Sequence, residues 1–171
     1  MPIRSWDSES YTGDEWFQEL SERQRNLFMY LSLNDHCKGG LYYITLSTIS
    51  NESKIPKEAL PELLKSLNPK VIWYPDENLV WVKNFVKRQC NRNSDAFLRG
   101  VAKSLLTIRN EKVIREMLDY NKKRYGFDIP YDEYRAKKEA ETKIKTSDKK
   151  EGTVPPENKS HKSILGVTIE K

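Results

Sequence analysis

Residues 70–92 read KVIWYPDENLVWVKNFVKRQCNR: two aromatic runs, a polar turn, then an abrupt basic stretch. Val71, Trp73, Leu79, Trp81 and Phe85 are the residue types that suit a pleated sheet, and Pro75-Asp76-Glu77-Asn78 supplies turn chemistry between them. The pattern predicts a β-hairpin. Alternation places Val71, Trp73 and Trp81 on its packed face. Cross-strand core packing is therefore the first reading of these aromatics, and base stacking by Trp73, Tyr74 and Trp81 the second.

Upstream of the hairpin the spacing becomes helical. Thr12-Gly13-Asp14-Glu15 and Ser21-Glu22-Arg23-Gln24 both fit a capping box. The first predicts a short helix carrying Trp16, Phe17 and Leu20. The second predicts a longer one with Leu27, Phe28 and Leu31 inward and Arg23 and Arg25 outward. Asn34-Asp35 and Gly39-Gly40 mark a loop, and LYYITL (41–46) reads as a short strand. A two-turn helix over 45–53 turns Leu46 and Ile49 inward. Another over 57–67 turns Leu60, Leu63, Leu64 and Leu67 inward, its start displaced slightly by Pro61. This order of helix, short strand, short helix, turn, helix and hairpin is that of a winged helix-turn-helix. The LYYITL strand argues against a three-helix bundle with a stray hairpin, because it gives the hairpin a third strand.

Two further helices are expected after the hairpin. Asn93-Ser94-Asp95 caps the first, in which Phe97, Leu98, Val101, Ala102, Leu105 and Leu106 recur at helical spacing opposite Arg99 and Lys103. Asn110 caps the second. It buries Val113, Ile114, Met117 and Leu118, exposes Arg115, Lys122, Lys123 and Arg124, and ends at Gly126. From Asp128 periodicity fades into a Lys/Glu/Thr/Ser-rich tail, with at most transient helix over YDEYRAKKEAETKIK and none over SDKKEGTVPPENKSHKS. The expected class is mainly α with a small β-sheet (α+β). It comprises a winged helix over 1–90, a basic helical extension over 91–127 and a disordered charged tail over 128–171. The tail ends in an apolar peptide, Ile164, Leu165, Val167 and Ile169 among its residues. Two readings of that peptide stay open: a sticky terminus, or a linear motif that docks on a partner by β-addition.

Composition narrows the function. The 171-residue chain is 37% hydrophobic and 32% charged, consistent with one domain plus polar appendages. Its start has no apolar stretch of the signal-peptide kind and no run approaches a membrane span, so a cytoplasmic protein is expected, without membrane contact. Cys37 and Cys90 have only two His residues for company, which leaves them as incidental thiols. No Gly-rich phosphate loop, nucleophile elbow or paired-His helix is present, and His36 and His161 lack an evident partner. Neither an enzyme nor a cofactor or metal is expected.

The positive charge is localised. Residues 1–90 carry 11 Lys/Arg against 12 Asp/Glu, residues 91–127 carry 9 against 4, and residues 128–171 carry 10 against 9. Such a footprint suits nucleic acid better than a merely solvated helix surface. On the helix expected to read DNA, Lys54, Lys57 and Lys65 could reach phosphate or guanine, but Glu58 and Glu62 oppose them. The hairpin tip is acidic. The consistent series is Lys83, Lys87, Arg88, Arg92, Arg99, Lys103, Arg109, Lys112 and Arg115, and it points to phosphate contact by the hairpin's exit and the helices after it.

Several stretches resemble a family. SWDSESYTGDEWFQELSERQRNLFMYL, GLYYITLSTISNESKIP, LPELLKSL and above all YPDENLVWVKNFVKRQ followed by FLRGVAKSL are similar to the start of phage and prophage replication initiation proteins. These are the winged-helix replisome organisers, akin to the N-terminal domain of DnaD-type proteins. The resemblance spans about residues 1–125. It implies binding to duplex or single-stranded DNA at a phage origin, homo-oligomers, and recruitment of a replicative helicase or its loader. A winged-helix transcriptional regulator and a protein–protein adaptor that binds no DNA remain the alternatives.

Overall fold

Residues 13–89 and 95–147 are described by a computed structural model of the chain. Helices α1 (Glu15–Glu19) and α2 (Glu22–Leu33) precede strand β1 (Leu41–Tyr43), α3 (Leu46–Ser53) and α4 (Leu60–Ser66). Strands β2 (Val71–Tyr74) and β3 (Leu79–Val82) form the hairpin. After it come α5 (Phe85–Gln89), α6 (Asp95–Leu105), α7 (Glu111–Tyr125) and α8 (Tyr131–Ser147). The class is α+β: mostly helix, with one small antiparallel sheet.

Local chemistry sets these boundaries. Ser21 Oγ accepts from the Gln24 backbone N–H while Gln24 Oε1 accepts from that of Ser21 at 2.8 Å, so the second capping box is formed. The first is not. Asp14 is the N-cap of α1 and makes no side-chain cap bond, while Thr12 lies outside the described residues. Arg25, expected outside, folds back to donate to the Gln18 carbonyl and rest on the Phe17 ring. Thr45 caps α3, and a single 3₁₀ turn over Lys57–Ala59 leads into α4 with Pro61 in its first turn. Phe85 does not extend β3; it opens α5. The turn into that helix is tight. A Cβ on Gly40 (φ 86°) would lie 2.8 Å from the Phe85 Cβ and 3.1 Å from the Val82 carbonyl oxygen.

Strand β3 is central, in the order β1-β3-β2. Leu41 pairs with Trp81 on one side, and Ile72 and Trp73 pair with Trp81 and Val80 on the other. All four β3 residues are buried, which requires cover on both faces of the sheet. Val71, Val80 and Val82 face a core with Leu27, Phe28, Leu31, Ile49, Leu60 and Leu64, while Trp73 packs against its margin. Leu41, Leu79 and Trp81 face a second core with Leu98, Val101, Leu105, Ile114 and Met117. Trp81 is therefore opposite Val71 and Trp73, not beside them: in register it faces Ile72, one position out of phase with Trp73.

Two of the expected boundaries are corrected by this arrangement. Residues 91–127 are not an extension, because α6 and α7 form the helical layer that buries one face of the sheet. Nor does the ordered chain stop at 127. Phe127, Ile129 and Tyr131 are buried in the same core, and the compact unit runs through Ala136. Alternate-residue spacing in Phe127-Asp128-Ile129-Pro130-Tyr131 marks an extended connector, a signal invisible to a search for helical periodicity. The helical residues from Lys137 to Ser147 belong to a separate unit, where Thr142 Oγ1 donates to the Lys138 carbonyl at 2.8 Å. Cys90, Arg92, the Asn93-Ser94 cap and the apolar peptide Ile164–Ile169 lie outside the described residues.

Candidate nucleic-acid interface

The expected cations separate by what each already touches. On the first layer, Lys54 and Lys57 are exposed, Lys54 as the left-handed C-cap of α3. Lys65 pairs with Glu62 at 3.1 Å, and Glu58 stands exposed beside them, so α4 presents a face of balanced charge. Two members of the cationic series already have carboxylate partners, the Arg88 side chain buried and Arg115 exposed. The Arg88 side chain is only 7% exposed, lies 3.6 Å from the Asp14 carboxylate and stacks over the Phe28 ring. Arg115 grips both Asp132 oxygens at 2.6 and 2.8 Å, donates to Glu111 at 2.8 Å and covers the Tyr131 ring. Both are therefore engaged within the domain, unlike the rest of the series.

The remaining members are not neutralised. Lys83, Lys87, Arg99, Lys103, Arg109 and Lys112 have no carboxylate partner among the described residues, and Arg124 joins them. Several sit on rings instead. The Lys83 ammonium lies 5.2 Å from the Trp81 centroid and 5.4 Å from that of Tyr120. Lys87 lies 5.2 Å from Tyr125, and Arg124 lies 5.8 and 5.9 Å from Tyr120 and Tyr125. Lys103 rests over Tyr134 at 5.5 Å, one turn beyond Arg99 on α6. A ring face positions a cation without an anionic acceptor, so the charge stays available to a ligand.

One asparagine holds this arrangement at the base of the hairpin. Asn84 Oδ1 accepts from the hydroxyls of Tyr120 and Tyr125, both at 2.8 Å. Partial burial first, then hydrogen bonding to Tyr125, pushes the Tyr120 hydroxyl up to about 12, so it stays a neutral donor. At the hairpin tip, Arg109 donates its backbone N–H to the Tyr43 hydroxyl at 2.9 Å, and the Asn110 side chain donates to Glu77 at 2.5 Å. Helix α7 thus runs from tip to base, about 22 Å. The series from Lys83 to Lys112 is consequently not one patch: Lys83 and Lys87 lie at the base, Arg109 and Lys112 at the tip. Helix α4 packs on the opposite face of the sheet from all of them.

The sequence reading did not place Arg124, Tyr120 and Tyr125 among the candidate contact residues. The Lys122-Lys123-Arg124 run carried the signal, but only the fold shows that Lys122 and Lys123 are paired with Asp128 and Asp119 while Arg124 is not. It also read His36 as unpartnered. His36 Nε2 lies 3.5 Å from Glu52, whose other oxygen accepts from Tyr30 at 2.7 Å. Trp81 is 1% exposed, which removes it as a stacking platform. Cys37 is a buried free thiol, and no group of His, Cys, Asp or Glu among the described residues could hold a metal ion. No described helix is long and apolar enough to cross a membrane. Comparison with protein-family models, with curated proteins and with solved structures returned no match.

Proposed function

We propose that this protein is a winged-helix DNA-binding protein acting in phage or prophage replication initiation. In this reading it grips the phosphate backbone with its second helical layer rather than with the helix-turn-helix. The order α2, β1, α3, α4, β2, β3 and the sheet order β1-β3-β2 support the winged helix. One observation carries the binding mode: from residue 83 to 127, seven described cations lack a carboxylate partner. Among the described residues of the same stretch, Asp95 and Glu116 are the carboxylates without an ion pair. On α4 the one cation, Lys65, is paired with Glu62, whereas Lys54 and Lys57 ahead of it are exposed without a carboxylate partner among the described residues.

The ligand this favours is duplex. Burial of Trp81 removes the obvious stacking surface for single-stranded bases. Lys112 and Arg124, about 18 Å apart along α7, match roughly half of a duplex turn of about 34–36 Å, and backbone contact positions a protein without reading sequence. Origin specificity, helicase or loader recruitment and cytoplasmic location in a bacterial host belong to the same proposal through the resemblance of residues 1–125 to replisome organisers. Gel shifts with random duplex, single-stranded and phage-origin DNA over a salt series test it. Duplex binding at low salt is expected, and no binding of any DNA at low salt would overturn it.

A further inference from the structure

A cleft of about 430 Å³ opens at the base of the hairpin, between the start of α1, the start of β2, α5 and the end of α7. Lys87 and Arg124 line the cleft beside Tyr125, and Lys70 and Arg88 line it beside Asp14 and the exposed Glu15. The second set is internally balanced. Asp14 accepts from Lys70 Nζ at 3.1 Å and faces Arg88 at 3.6 Å, so its charge is already shared by two cations. The first set is not balanced: Lys87 and Arg124 rest on the Tyr125 ring and meet no carboxylate among the described residues. Asn84 fixes Tyr125 through its hydroxyl at 2.8 Å, and so fixes the platform under both cations.

We propose that this cleft is a nucleoside-phosphate site, with Lys87 and Arg124 taking the phosphate. Its volume is in the lower part of the ligand-pocket range of about 300–1,000 Å³, room for one nucleotide. The recess does not admit a duplex, whose major groove alone is about 12 Å wide. The nucleotide is either free or the 5′-phosphorylated end of a strand; the second source rests on the DNA-binding reading above, the first does not. Arg and Lys on a rigid platform suit a terminal phosphate, which carries more charge than an internal diester and leaves more oxygens open to donors.

Titration calorimetry of the full chain with a nucleoside 5′-monophosphate tests the free source. Paired oligonucleotides differing only in a 5′-phosphate or 5′-hydroxyl test the strand end. Saturable nucleotide binding, or at least ten-fold preference for the phosphorylated strand, supports the site. Either signal should fall ten-fold or more in Arg124→Ala, whose melting curve should stay unchanged so that ligand loss is separated from misfolding, and recover in Arg124→Lys, which restores the charge. No nucleotide binding together with equal affinity for the two strands would overturn the site while leaving duplex binding standing. Nucleotide binding without any duplex binding would overturn the DNA reading and keep the site.

Discussion

Glu77 at the hairpin tip accepts a hydrogen bond from the Asn110 side chain, which is also the N-cap of α7. The acidic tip is thus moored to the second helical layer instead of extending free into a groove. Asn110 Oδ1 accepts from Val113 N at 3.1 Å at the same time, so one residue caps the helix and holds the tip. Asn110→Ala should cost about 1–2 kcal/mol in urea unfolding and speed amide exchange at Asn78 and Val113 together. Loss of protection at Val113 alone would show that the tip is held by something else.

Trp81 couples the sheet to the second layer. It is 1% exposed, meets Tyr120 edge-to-face at 5.6 Å and shares a core with Leu105, Ile114 and Met117. Trp81→Ala should cost about 3–5 kcal/mol, much of the roughly 5–15 kcal/mol that holds a domain together, and unfold both layers in one transition. Two separate transitions in urea, followed by circular dichroism and tryptophan fluorescence, would mean that α6 and α7 are an independent extension after all.

Arg115 fastens the start of α8, and its contact with Asp132 gives that attachment a pH dependence. Hydrogen bonding to Arg115, then its charge, holds the Asp132 carboxyl below its usual range. A carboxylate with a depressed folded-state pKa stabilises above its unfolded value, about 3.9. That contribution disappears as pH falls through the lower folded value. Because both side chains are largely exposed the effect on global stability should be slight. The readout is therefore local: in NMR, Asp132 of Arg115→Gln should titrate at higher pH than in the parent. An unmoved Asp132 titration would show that the clamp is not formed in solution.

Much of the fold was legible in the chain because its signals were local. Ser21 and Gln24 formed their box, Asn110 its cap, and Pro75 to Asn78 their turn. What failed needed the third dimension. Trp81 was placed on the face of Trp73 because alternation assumes one covered side, whereas β3 is covered on both. Phe127, Ile129 and Tyr131 were read as tail because an extended connector has no helical period. The cations were the hardest to judge. Arg88 and Arg115 look like Lys87 and Lys112 in a charge count, and only Asp14 and Asp132, far away in sequence, distinguish a clamp from a free charge.

The electrostatic account also makes a negative forecast. Lys57, in the turn before α4, and Lys65, paired with Glu62 on α4, alternate with Glu58 and Glu62, so reversing both to Glu should change duplex affinity less than three-fold in about 0.1 M salt, where the Debye length is about 10 Å. A loss of more than ten-fold would place the contact on the helix-turn-helix.

The most direct test is the salt dependence of duplex binding by fluorescence anisotropy, from about 50 to 200 mM salt, where each phosphate contact contributes close to −0.9 to the log–log slope. Engagement of about half of the seven unpaired cations predicts a slope near −3. The triple variant Arg99→Glu, Lys103→Glu, Lys112→Glu should flatten it by about one unit or more while Lys57→Glu, Lys65→Glu leaves it unchanged. A slope that flattens in the second variant and not in the first would contradict the claim that the second helical layer holds the DNA.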